Sequence, residues 1–184
     1  MTQPRIPAVD PAHCTKEQKE LMGAWTSMNF TRVMAQSPVL YRSFVPLIEK
    51  VIARTALPPR DRQVLVLRSL TLGDDVYEVT HHELISEAAG LTHTEIAQMR
   101  AGQGDALTPF DKVLVRAAEQ LVRSQFIDDA TWAALAERYD RVQLMEVVAL
   151  VGTYLTMAML TRNFGIELED EATFNGFRQQ REYT

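Results

Sequence analysis

The sequence is poor in the residues that carry thiol and zinc chemistry. Cys14 is the single cysteine among 184 residues, so neither an internal disulfide nor a Cys-x-x-Cys pair is available. Also missing are Gly-x-Gly-x-x-Gly, a Walker-type loop and a Gly-x-Ser-x-Gly elbow, which removes the commonest nucleotide and hydrolase signatures. Positive charge is not in excess: 19 Lys and Arg face 24 Asp and Glu, a net charge of −5. The basic residues are scattered, with no stripe interleaved with aromatics, so no nucleic-acid partner is expected. Long apolar runs are lacking too. Val147 to Leu160 is interrupted by Gly152, Thr153, Tyr154 and Thr156, short of the roughly 20 residues that span a bilayer, and no membrane partner is expected. The opening MTQPRIPAVDPAH has three prolines and no apolar h-region, so it does not read as a signal peptide, and a cytoplasmic location is the expectation.

What is present is a composition for one packed domain. Hydrophobic residues make up 46% and charged residues 23%, enough apolar surface to offset the entropy of ordering. No long run alternates with period two, and apolar residues recur by threes and fours, so the fold class is all-α. Residues 1–14 are expected as an extended arm, because Pro4, Pro7 and Pro11 oppose regular structure. Thr15 with Gln18 is a capping box opening a short helix through Trp25. Ser37-Pro38 starts a helix with Leu40, Phe44, Leu47, Ile48 and Val51 on one stripe. Pro59 starts another, apolar on most sides from Val64 to Leu72, as a central bundle helix should be.

The spacing predicts further helices from about Asp75 to Ala89 and from Thr92, capped by Glu95, to near Ala101. Others begin at Thr108-Pro109 and at Asp128, the latter burying Trp132, Leu135 and Ala136. The longest runs from Asp140 to Phe164, stopped by Gly165. Trp25, Trp132, Tyr139 and Tyr154 read as core residues. The tail from Glu167 is polar, with Phe174 and Phe177 as anchors onto a partner subunit. The domain reading is an arm at 1–14, a helical domain at 15–168 and a polar tail at 169–184.

Polar density peaks at 73–83, Gly-Asp-Asp-Val-Tyr-Glu-Val-Thr-His-His-Glu. On a helix Glu78 and His82 are i and i+4 and share a face, with Asp75 one turn earlier. Tyr77 and His81 form a second such pair about 100° round. A carboxylate orienting an imidazole is a standard acid–base arrangement, so catalysis is assigned to His82, Glu78 and His81. Two adjacent histidines also fit a plainer reading, one facing solvent and one satisfying a buried acceptor. A metal held by His82, Glu78 and Asp75 lacks the two-imidazole face of His-Glu-x-x-His, and no metal is expected. His13 beside Cys14 is incidental, and His93 reads as exposed. Tyr154, with Thr153, Thr156 and Arg162, places polar groups in an apolar helix and lines a pocket or meets a buried carbonyl.

Several motifs in order resemble one family. They are Asn29-Phe30, Ser37-Pro38, Leu57-Pro58-Pro59-Arg60-Asp61-Arg62, and Val64-Leu65-Val66-Leu67-Arg68. Tyr77-Glu78-x3-His82-Glu83 and Ala88-Ala89-Gly90-Leu91 follow, and then Asp129 to Leu135, Gln143 to Glu146, and Leu150 to Tyr154. Over roughly residues 29–168 the chain resembles the carboxymuconolactone decarboxylase family, which includes the AhpD-type alkylhydroperoxidases. The resemblance implies an AhpD-like helical bundle that is a homo-oligomer (dimer, trimer or hexamer). The redox branch has a Cys-x-x-Cys whose positions are held here by Asp75 and Glu78, and its supporting glutamate falls near Gln63.

Carboxylates cannot replace a thiolate nucleophile, so peroxidase activity is not expected. The cysteine-less branch implies a cofactor-independent lyase on a small carboxylated lactone or aromatic-derived acid. In that reading His82 delivers a proton and Glu78 fixes its tautomer, while Tyr77, Asp75, Gln63 and Tyr154 bind substrate. The oxyanion falls to Tyr77, His81 or Tyr154. Isomerisation, hydration or hydrolysis of a related lactone, or a non-catalytic binding role, are the alternatives.

Overall fold

The computed structural model describes residues 4–179. Its α-helices are α1 Lys16–Met22, α2 Asn29–Met34, α3 Pro38–Ala53, α4 Pro59–Leu72, α5 Val76–Ala88, α6 His93–Ala101, α7 Pro109–Ser124, α8 Asp129–Ala136, α9 Arg141–Phe164 and α10 Glu171–Gln179. No strand occurs among the described residues, and the fold is all-α.

Helix starts follow local chemistry. Thr15, Thr92, Thr108 and Asp140 each close a capping box, and Pro38, Pro59 and Pro109 occupy first-turn positions where no N–H is needed. Gly165 ends α9 at φ 68°, and a Cβ there would come within 3.1 Å of Pro4. The arm is therefore not free. Arg5 and Ile6 donate backbone N–H groups to the Phe164 carbonyl (2.9 and 3.1 Å), and Gln36 Nε2 donates to the Pro7 carbonyl.

α4 is the axis of the molecule, packed against α5, α6, α7 and α9. Val64, Leu65, Val66, Leu67 and Leu70 are wholly buried, as an all-round apolar helix requires. Its charged residues tie it outward: Arg60 to Asp111 and Glu95, Arg68 to Glu119, and Asp61 to the Tyr139 hydroxyl at 2.7 Å. α9 runs 24 residues with a window of mean hydropathy 1.7. By length and composition it passes the test that the shorter run from Val147 to Leu160 fails, yet half of that window is buried inside the fold. A core helix of a bundle meets the same criterion.

Several expectations are corrected. Trp25 and Trp132 are 40% and 42% exposed, and Ala136 is exposed as well. In α8, Thr131 and Leu135 face inward, which turns Trp132 about 100° away from the core. The α3 stripe is rotated by one residue, because Tyr41 and Val45 go in beside Ile48 and Val51 while Leu47 stays out. α2 and α10 were not foreseen.

Gln125 ends α7 in the left-handed region at φ 57°, a conformation in which a Cβ is strained. Gln125→Gly is expected to stabilise the fold by about 0.5–1 kcal/mol, raising Tm by roughly 1–4 °C. A thermal melt showing no rise would refute it.

Candidate functional site

α5 starts at Asp75, whose Oδ1 accepts the Glu78 N–H at 3.2 Å. Asp75 is buried and serves as the helix cap, so its placement is structural. The helix is gripped on two sides and presents polar groups to both. Both histidines are buried, at 4% for His81 and 2% for His82, so neither faces solvent.

On one side His82 Nδ1 donates to Gln63 Oε1 of α4 at 2.9 Å. That bond sets the tautomer and leaves Nε2 as an acceptor. Glu78 and His82 do not hydrogen-bond to each other, so the expectation that Glu78 orients the imidazole is corrected: Gln63 does it. Ser86 Oγ donates to the His82 carbonyl at 2.7 Å and locks the helix beneath. The Tyr154 ring of α9 stands edge-on to the His82 ring, with centroids 4.9 Å apart. Its hydroxyl is buried with no hydrogen-bond partner. It neither meets a buried carbonyl nor opens onto a surface hollow. Arg62, one residue before Gln63, has a buried Nε that is likewise unpartnered.

On the other side His81 Nε2 lies 2.9 Å from Glu169 Oε2. Glu169 Oε1 accepts from the Tyr77 hydroxyl and from the Asn29 backbone N–H, each at 2.7 Å. The Tyr77 hydroxyl also accepts the Phe30 N–H at 3.3 Å. Phe174 and Phe177 of α10 stack against His81, at 5.4 and 5.7 Å between centroids. Within the chain these rings cover His81. Tyr77 and His81 are committed to this second network and stand apart from the Gln63–His82–Tyr154 group.

Glu169 escaped the sequence reading because it lies 88 residues from His81 in a segment that looks like a solvated tail. Asn29-Phe30, already notable as a motif, marks where that carboxylate docks.

Electrostatics separate the roles further. Burial, then the neighbouring Asp75 and Glu169 charges, pushes the Glu78 carboxyl well above the ordinary carboxylate range, which favours its neutral form. Burial, then the His81 and Arg62 charges, pushes His82 down to about 3, so the imidazole is neutral. Burial opposes ionisation of Glu169 as well. There His81, Tyr77 and the Asn29 N–H outweigh it and hold the carboxyl below its usual value. Tyr154 is raised well above the phenol range by burial and by Glu78, so it is a neutral donor.

Two surface hollows, of about 380 and 370 Å³, lie elsewhere. One is between the arm and the end of α9, and the other is lined by Phe126, Trp132 and Val148. Among the described residues no group of three His, Cys, Asp or Glu is placed to hold a metal ion.

Among solved structures the chain is similar to an uncharacterized peroxidase-related protein of Ralstonia eutropha JMP134, described as an alkylhydroperoxidase AhpD core. The TM-score is 0.81 at 14% identity, over 95% of this chain and 96% of that one. It is similar to a peroxidase-related protein of Silicibacter sp. TM1040, with TM-score 0.76 at 13% identity over 94% and 97%. An Agrobacterium tumefaciens protein of unknown function, described as a candidate AhpD antioxidant defence protein, gives 0.69 at 16% over 79% and 99%. No curated protein matches the chain. Residues 38–120 match the carboxymuconolactone decarboxylase family model. Over that segment the chain is similar to the carboxymuconolactone decarboxylase family, and the AhpD-like fold extends over nearly all of its length.

Proposed function

We propose that the chain is a cofactor-independent lyase acting on a small carboxylated lactone or aromatic-derived acid, with chemistry at Glu78, His82 and Tyr154. The observation that carries this reading is a buried His82 whose Nδ1–H is fixed by Gln63, one helical turn from a Glu78 carboxyl that burial pushes well up. The geometry reassigns the proton. A histidine held neutral down to about pH 3 is a poor proton source, whereas a buried carboxylic acid is a good one.

In the reaction the bond to the substrate carboxylate breaks and carbon dioxide leaves. The electron pair passes into the conjugated lactone carbonyl. The Tyr154 hydroxyl, which has no protein acceptor, donates to that developing oxyanion. The Glu78 O–H then protonates the dienolate carbon, and the resulting carboxylate regains its proton from water. His82 Nε2, left as an acceptor, orients the substrate or the proton of Glu78. Asp75 and Glu78 stand where the redox branch has its thiols by resemblance, which supports a reading without peroxide reduction. His81 and Tyr77, bound to Glu169, hold the second side of α5 in place.

The test is carbon dioxide release from a panel of carboxylated lactones. Glu78→Gln, which keeps shape and removes the transferable proton, is expected to lower kcat by about 10²–10⁴-fold, and His82→Ala by a similar factor. Isomerised or hydrated product without gas would move the assignment to a different proton-transfer reaction. Full turnover by Glu78→Gln would remove Glu78 from the mechanism.

A further inference from the structure

Most arginines that brace the bundle around this site have a carboxylate or carbonyl partner. Arg60 meets Asp111 and Glu95, Arg68 meets Glu119, Arg100 meets Glu83, Arg138 meets Asp61, and Arg162 meets Asp74. Arg62 departs from this pattern. It is only partly exposed, its Nε is buried without a partner, and among the described residues its side chain makes no hydrogen bond or ion pair. Keeping a partly desolvated guanidinium without an acceptor costs stability. Burial in fact weakens its hold on its proton, against the small opposing influence of Tyr154.

Position explains what that cost can serve. Arg62 precedes Gln63, which holds His82, and Tyr154 packs on the same imidazole from α9. Two buried donors without acceptors, the Arg62 Nε on α4 and the Tyr154 hydroxyl on α9, thus lie in one neighbourhood, close enough that the Arg62 charge acts on both His82 and Tyr154. Two unsatisfied donors of this kind are matched by a ligand with two separate oxygen groups, one of them charged.

We propose that Arg62 is the anchor for a carboxylate of the bound small molecule, with Tyr154 taking its carbonyl oxygen. A planar fork suits a carboxylate better than a point charge would. This rests on the reading of the site as a substrate pocket and adds the residue that recognises the acid. The anchored carboxylate is one the reaction retains. A guanidinium clamped on the departing group would stabilise the ground state against loss of carbon dioxide. Because Arg62 is the partly exposed member of an otherwise closed cluster, it is also where an anion arriving from solvent first meets a charge.

The experiment uses the full chain and a probe whose one carboxylate is of the retained kind, the saturated γ-(carboxymethyl)-γ-butyrolactone, beside its primary amide. Binding is followed by calorimetry for wild type, Arg62→Gln and Arg62→Lys, and each protein is melted without ligand. The acid is expected to bind wild type, the amide to bind about tenfold or more weakly, and Arg62→Gln to lose the acid by a similar factor. Arg62→Lys should recover part of it. Unliganded Arg62→Gln should melt no lower than wild type, a readout that a bracing arginine would not give.

No binding of the acid to wild type, equal binding by Arg62→Gln, displacement by equimolar inorganic phosphate, or a lower melting point in Arg62→Gln would each overturn the assignment. None of these outcomes depends on carbon dioxide release, so failure of the lyase reading and failure of the anchor are told apart.

Discussion

Glu169→Ala is expected to cost the folded protein about 3–5 kcal/mol, the range for removing one partner of a buried charged network. Glu169 is 9% exposed, and its carboxylate accepts from the Asn29 N–H, the Tyr77 hydroxyl and His81. Alanine would leave three buried donors without an acceptor, each costing on the order of 1–3 kcal/mol before any relaxation. It would also take from α2 the one side-chain acceptor at its first N–H, since Met28 at the cap position has none. Glu169→Gln should cost less, about 1–2 kcal/mol. Its carbonyl oxygen can still serve Asn29 and Tyr77, while His81 must turn its Nε2 into an acceptor for the new amide. Urea unfolding at pH 7 orders the three proteins, and hydrogen exchange should show residues 170–179 losing protection first in the alanine variant. An alanine variant within about 0.5 kcal/mol of wild type would mean that the network is not holding the C-terminal segment.

That network also marks the limit of what could be read in the sequence. Local signals were legible: Ser37-Pro38, Pro58-Pro59, Thr108-Pro109 and Asp140 followed by Gly165 place α3, α4, α7 and α9 to within a residue or so. Caps and proline positions act within one turn, which is the range sequence patterns cover. α2 escaped because its cap comes from a carboxylate 140 residues away. Trp25 and Trp132 were misplaced because hydrophobicity alone does not set helical phase at the rim of a bundle.

The candidate site was half legible for the same reason. Periodicity finds partners at i+4, so Glu78 seemed the natural mate for His82. The true mate, Gln63, lies on the preceding helix and was found only by its place in the family pattern. Choosing between His81 and His82 by phase alone assumed that one face of α5 meets solvent. With α4 and α9 on one side and the 169–177 segment on the other, both faces are interior.

Replacing His82 should erase much of the protein's sensitivity to acid. The folded pKa of His82 is pushed down to about 3 by burial and then by the His81 and Arg62 charges, whereas an unfolded histidine titrates near 6.5. Above that value both states are neutral and the group adds no pH dependence. Below it the unfolded chain takes up a proton that the folded chain refuses. Stability is therefore lost as pH falls from 6.5 to about 3, at about 1.4 kcal/mol per pH unit and on the order of 4–5 kcal/mol in all.

His82→Asn keeps an N–H for Gln63 and does not titrate. It is expected to be less stable than wild type at pH 7 by about 1–2 kcal/mol for lost packing. By pH 4 it should have gained about 3 kcal/mol relative to wild type. Glu169 and the other carboxylates titrate in both proteins and cancel in that difference. Parallel stability curves between pH 4 and 7 would show that His82 charges as easily in the folded state as in the unfolded one. The proposed chemistry would then fail with it. A neutral imidazole leaves the acid limb of the rate profile without a step near 6.5.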